Sequence, residues 1–168
     1  MVIDIFMKQE RNNYAFIDSQ NVNLAIRSQG WILDWKRFRV HLREKYDVQN
    51  AYMFLGYISR HKSLYDSLRS FGYKIVFKPV ILFDGEKVKG NVDAELVLHT
   101  MIEYNKYERA IIVSNDGDFY CLVEYLRQQN KLSKLLIPDR RKYSSLLRPF
   151  VQYMVYMNDL QSKLVYKK

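Results

Sequence analysis

Short runs of consecutive apolar residues alternate along the chain with stretches in which apolar positions recur every three to four residues. That alternation marks strands buried on both faces and separated by helices that pack across them. Residues 14–18 predict a first buried strand, followed by a short helix over 21–28. Asp34 stands where an N-cap belongs, ahead of a helix to residue 46 whose Trp35, Phe38 and Leu42 share one face. A second strand is expected over 48–57. A helix over 62–71 would bury Leu64, Leu68 and Phe71 and stop at Gly72. Residues 73–78 give a third strand. The segment ILFDGEKVKG carries an Asp84-Gly85 turn signal and reads as a small hairpin or projecting loop outside the main sheet.

Beyond that loop, Asn91 or its neighbours open a helix to about residue 105, with Leu96, Met101 and Tyr104 inward. Residues 109–114 are the clearest buried strand and 118–130 the clearest helix after it. A fifth strand over 134–137 is cut off by Pro138, and 151–157 suggest a short sixth at an edge, ahead of a C-terminal tail. The fold class that follows is α/β with a parallel sheet. Residues 1–168 read as one domain with a core at about 14–157, since no repeat, linker or low-complexity tract interrupts them.

Composition supports a folded chain: 48% of the 168 residues are hydrophobic and 15% aromatic, which excludes disordered and collagen-like classes. Cys121 is the single cysteine, so neither a disulfide framework nor a cysteine zinc cluster forms, and its apolar surroundings FYCLVEYL predict a buried, inert thiol. The first residues lack a signal-peptide cleavage pattern, and no stretch approaches the ~20 apolar residues of a membrane span. A reducing, cytoplasmic setting without membrane contact is the expectation. The formal charge of +9 fits a polyanionic partner as well as a merely solvated basic surface. The 14 tyrosines include candidates for base stacking, although most are expected in the core and at its rim.

The chemistry lies in four acids. Asp18 ends the first strand, Asp116 and Asp118 follow the fourth, and Asp93 sits in the first turn of a helix expected beside them. Ligands of open α/β sheets bind beyond the carboxyl ends of the strands, at the point where strand order reverses. If strands one and four are neighbours there, all four carboxylates face one crevice and repel one another unless a cation joins them. Oxygen ligands suit Mg2+ or Mn2+. His41, His61 and His99 are scattered and form no zinc pattern. Taken singly, each acid also has a plain explanation as a cap or turn residue.

FIDSQN (16–21), KGNVDAELVLHTM (89–101) and VSNDGDFYCLVEYLR (113–127) resemble the three signature blocks of the NYN domain, in the LabA-like branch of the PIN-like nuclease superfamily. The resemblance implies a three-layer sandwich with a parallel sheet of order 3-2-1-4-5, and a short extra edge strand is compatible with it. It also implies metal-dependent ribonuclease activity, with Asp18, Asp93, Asp116 and Asp118 as metal-binding and catalytic acids and with Asn21 and Ser114 shaping the pocket. The family commonly has Asp where His99 stands and Gly where Asn115 stands. Residue 99 lies six helical positions, about 9 Å of rise, from Asp93 and out of phase with it, so it is expected as a helix-packing histidine.

Basic residues fall in loops leaving the same carboxyl edge: Arg60 and Lys62 after strand two, Lys87 and Lys89 after strand three, and Arg140, Arg141 and Lys142 after strand five. That placement suits a phosphate backbone, whereas Arg39 and Arg43 on the second helix are expected to be solvated. The sequence therefore points to an endoribonuclease using Mg2+ or Mn2+ on single-stranded or structured RNA, with single-stranded DNA as a further candidate. An RNA-binding regulatory module with weak or no nuclease activity is the alternative. DxD phosphotransfer of the toprim kind fits less well, because strand one ends in Asp rather than Glu. A homodimer is compatible with the edge strands without being specified by them.

Overall fold

The first strand occupies the middle of the sheet. β1 (Asn13–Asp18) is buried at every position and lies between β2 (Val48–Gly56) and β6 (Ala110–Val113). β3 (Tyr73–Lys78) extends the sheet beyond β2, while β7 (Leu132–Ile137) and then β8 (Met154–Tyr156) extend it beyond β6. All five pairings in this six-stranded sheet are parallel. The computed structural model describes residues 11–79, 82–83, 86–87 and 91–167. Two short strands, β4 (Leu82–Phe83) and β5 (Glu86–Lys87), pair antiparallel as a separate hairpin. Its Asp84-Gly85 turn lies outside the described residues. With the hairpin set aside, the strands run 3-2-1-4-5 in order of appearance, and β8 is the added sixth at the edge.

Helices cover both faces. α1 (Ser19–Arg27), α2 (Trp35–Tyr46) and α3 (Lys62–Ser70) lie on one side, α4 (Asp93–Ile102) and α5 (Tyr120–Gln128) on the other. The strand period of two divides β1 between two cores. Ala15 and Ile17 pack with Val22, Ile26, Phe38 and Leu42, while Tyr14 and Phe16 pack with Leu96, Leu122, Val123 and Leu126. Asp34 caps α2 by accepting from the Arg37 N–H at 3.0 Å. Gly72, at φ +95°, makes the left-handed turn after α3 that a side chain would strain. The chain's last described part is tied down as well. A short helix α6 (Gln161–Leu164) buries Leu164, Asp34 N–H donates to its carbonyl at 2.8 Å, and Val165 bridges Leu33.

Four expectations fail for local reasons. A 3-10 turn at Ser59–His61 leads into α3, which buries Tyr65 together with Leu68, so Leu64 is 48% exposed while Tyr65 is 2% exposed. α4 ends earlier than expected; Met101 is 38% exposed, and Thr100 and Tyr107 point inward instead. Cys121 is exposed, because α5 turns Leu122, Val123 and Leu126 to the core. Arg39 is not solvated: its guanidinium donates to the carbonyls of Gly72 at 3.1 Å, Val48 at 3.2 Å and Gln49 at 2.9 Å, pinning α2 to β2 and to the turn before β3. No helix among the described residues is long and apolar enough to cross a membrane.

Candidate metal centre at the carboxyl edge

β1 lies at the switch point: the chain builds β2 and β3 to one side of it, then crosses to build β6 and β7 on the other. Ile17 pairs with Val113, so Asp18 and Ser114, the next residue on each strand, end side by side. The Ser114 hydroxyl donates to Asp18 Oδ2 at 3.4 Å and accepts from the Asp116 N–H at 3.1 Å. Asp18 also caps α1, its Oδ1 accepting from the Asn21 N–H at 3.3 Å. Its carboxyl group is buried. That burial pushes its pKa up to about 6, helped by repulsion from Asp93 and Asp116 and opposed by the Asn21 and Ser114 hydrogen bonds.

Asp116 opens a 3-10 turn, Gly117–Phe119, by accepting from the Asp118 N–H at 2.9 Å. Gly117 is required there. A Cβ would sit 2.8 Å from Ser144 Cβ and 3.2 Å from Leu146 Cδ1, and closer still to the Ser144 hydroxyl. Asp93 begins α4, where the helix N-terminus favours a negative charge, and its N–H donates to Asn91 Oδ1 at 2.8 Å. One carboxylate oxygen each from Asp93, Asp116 and Asp118 lie within 4.8 Å of one another. Partial burial raises the Asp93 pKa above the ordinary carboxylate value, and Asp116 and Asp118 add repulsion while Asn91 and Lys78 oppose it. Three converging carboxylate oxygens suit a hard divalent cation. Asp18 sits behind this trio as its buried neighbour.

A cleft of about 460 Å3 opens over the site, lined by Asp18, Asn21, Leu24, Asn91, Asp93, Asn115, Asp116 and Lys142 among others. One wall is clasped by two asparagines. Asn21 Nδ2 donates to Asn115 Oδ1 at 2.6 Å, and Asn115 N–H donates back to Asn21 Oδ1 at 3.3 Å. Asn115 Nδ2 then donates to the Lys142 carbonyl at 2.6 Å, while its own carbonyl accepts from Ser144 N–H at 3.1 Å. This amide joins α1, the turn after β6 and the loop after β7. A glycine there could supply the backbone contacts but not the bridge. His99 lies apart from the acids, its ring 5.6 Å from Phe54 and 6.3 Å from Tyr52.

The basic residues divide. Lys142 lines the cleft, and Lys78, at the end of β3, donates to the Asn91 carbonyl and pairs with Glu95 at 3.6 Å. Arg60 is exposed on the turn after β2, outside the cleft lining. Arg140 is held by Asp159 and by the Tyr156 ring at 5.1 Å, and Arg141 lies 3.8 Å from the buried Asp139. Lys89 and the side chain of Lys87 lie outside the described residues. Chain reading missed Lys78 and Asn91, although Lys78 closes a strand at the same edge as the acids. It could not foresee the Asn115 bridge, which depends on partners far apart in sequence.

The family model of the NYN domain matches residues 14–158. The chain belongs to the NYN domain family. It is LabA-like within that family, 26% identical over 157 residues to the low amplitude and bright protein LabA of Synechococcus elongatus, with 88% of this chain and 84% of LabA covered. In shape, this NYN chain is similar to the crystal structure of a protein of unknown function from Vibrio parahaemolyticus. That match has a TM-score of 0.76 at 23% identity and covers 94% of this chain and 98% of that one. NYN domains are related to the PIN-like nucleases, and the acidic trio lies within the matched span.

Proposed function

We propose that this NYN chain is a metal-dependent endoribonuclease that hydrolyses RNA phosphodiester bonds at the acidic cleft. The observation that carries the reading is the convergence of the Asp93, Asp116 and Asp118 carboxylates within 4.8 Å on a chain of net charge +9. Those three side chains would hold Mg2+ or Mn2+, with Asp18 adding charge from the floor of the cleft. When bound, the ion polarises a phosphoryl oxygen and acidifies water for attack. The chain's own part is to present the acids in a fixed array, through the Asp116 turn, the Asn91 hydrogen bond at α4 and the Ser114 link to Asp18. Lys142 offers a cation to the substrate phosphates on the clasped wall.

The test is incubation of a mixed RNA and single-stranded DNA pool with and without Mn2+, beside Asp116→Asn. Cleavage should require metal, vanish in EDTA and fall more than about 100-fold in the variant, since losing even a supporting neighbour of a metal ligand costs about 10–100-fold. Metal-independent cleavage would sink the mechanism. Binding with no product at any metal concentration would favour an RNA-binding regulatory module instead.

A further inference from the structure

At the carboxyl end of β2 the chain carries a large aromatic ring out to solvent. Tyr57 is 47% exposed, immediately after the last residue of the strand. It is braced from behind: its ring centre lies 5.2 Å from Phe77, edge to face, and 5.9 Å from Tyr65. Tyr65 is itself fixed, buried at 2% exposure with its hydroxyl accepting from the Ile58 N–H at 2.9 Å. The Tyr57 backbone is held as well, its N–H donating to the Lys78 carbonyl at 3.1 Å. A ring so supported loses little further freedom when something stacks on its outer side.

The surroundings are cationic. Arg60 and Lys62 follow on the next turn, both exposed and without an ion pair among the described residues. Arg69 lies over the Phe77 ring at 5.7 Å but is paired with Asp66 at 3.3 Å, so Arg60 and Lys62 carry the free charge. Tyr57 is also close to the acids. Asp18 pairs with Phe54 in the β1–β2 register, which puts Tyr57 three residues, about 10 Å, further along. Lys78 links the two places, reaching from beside Tyr57 to the Asn91 carbonyl at the start of α4.

We infer that Tyr57 is a base-stacking platform, taking an unpaired nucleobase of an RNA strand whose phosphates run past Arg60 and Lys62 toward the acidic cleft. Aromatic faces interleaved with Lys and Arg are how proteins hold single strands without reading sequence. An apolar protein partner would leave those cations facing a dehydrated surface, whereas RNA matches ring and charge together. The inference rests on RNA as the ligand class proposed above, and not on cleavage.

The experiment measures fluorescence anisotropy in EDTA, with wild type, Tyr57→Ala and Tyr57→Trp. The probes are a short single-stranded RNA, an abasic strand of equal length, and a duplex. Tyr57→Ala should weaken single-strand binding about tenfold, and abasic and duplex binding by less than about twofold, with a melting temperature lowered by no more than the loss of the Phe77 and Tyr65 contacts explains. Tyr57→Trp should restore single-strand affinity, with indole fluorescence quenched on binding. The inference is overturned if wild type does not distinguish base-bearing from abasic strands, or if Tyr57→Ala leaves that preference intact. Separate cleavage assays keep the two ideas apart. Tyr57-dependent binding without cleavage retires the nuclease and keeps the platform; metal-dependent cleavage with Tyr57-independent binding does the reverse.

Discussion

The floor and the rim of the acidic cleft are built by different means. The floor, Asp18 with Ser114, and the asparagine-clasped wall against it are set by strand register and cross-linked by side-chain hydrogen bonds between segments far apart in sequence. The rim, Asp93, Asp116 and Asp118, is set by local turns: a helix start and a 3-10 cap. The floor acid is buried and its pKa is pushed up to about 6; the rim acids are partly or fully open to water. An acid in the floor therefore influences how stable the empty fold is. Acids on the rim can meet a cation from solvent with their hydration only partly lost.

The largest expected consequence of this difference is at Asp18. Its folded pKa lies above the unfolded value, so ionisation opposes folding: the penalty is absent below about pH 4, grows toward pH 6 and is complete above it. Asp18→Asn should accordingly stabilise the metal-free protein near neutral pH by at most roughly 3 kcal/mol, with the gain closing as pH falls. Urea melts across that range check it, and a variant less stable than wild type at neutral pH would contradict the burial argument. On the rim side, Gly117→Ala forces a methyl group against Ser144. It should cost about 1–3 kcal/mol, seen as a lowered melting temperature. The smallest effect separates two cations that the sequence places in one loop. Lys142→Ala should weaken RNA binding a few-fold and reduce the salt slope by about one. Arg140→Ala should change binding little, because Asp159 and Tyr156 already hold that guanidinium. Equal losses from the two variants would erase the distinction between cleft wall and loop exterior.

The same contrast explains what could be read from sequence. Features that depend on near neighbours were legible: the Asp34 cap, the Gly72 stop and the hairpin outside the sheet, whereas the strand order came with the family resemblance. Which residues of an apolar helix face inward was less legible. Leu64 lies beside the inward Tyr65 and Leu68, and Cys121 beside the inward Leu122, so an apolar neighbourhood alone did not fix which way either side chain faces. Arg39 was misread because a charged residue on an amphipathic helix looks solvated, and only the fold brings three free carbonyls within its reach. The four acids were legible as a group, but their ranking was not. Asp118 joins the oxygen cluster and Asp18 stands behind it, a difference of depth that spacing along the chain does not encode.

The central position of β1 also shapes how the molecule is made. Its partner β2 emerges soon after it during synthesis, but β6 begins only at Ala110. Until then one flank of β1 has no ladder, and its unmatched peptide groups belong to an apolar strand of the kind that pairs with other chains. Between the end of β1 at Asp18 and the start of β6 at Ala110, the nascent chain therefore carries its future sheet half open. The acidic cleft closes only when β6 docks, so an incomplete product carries no assembled site.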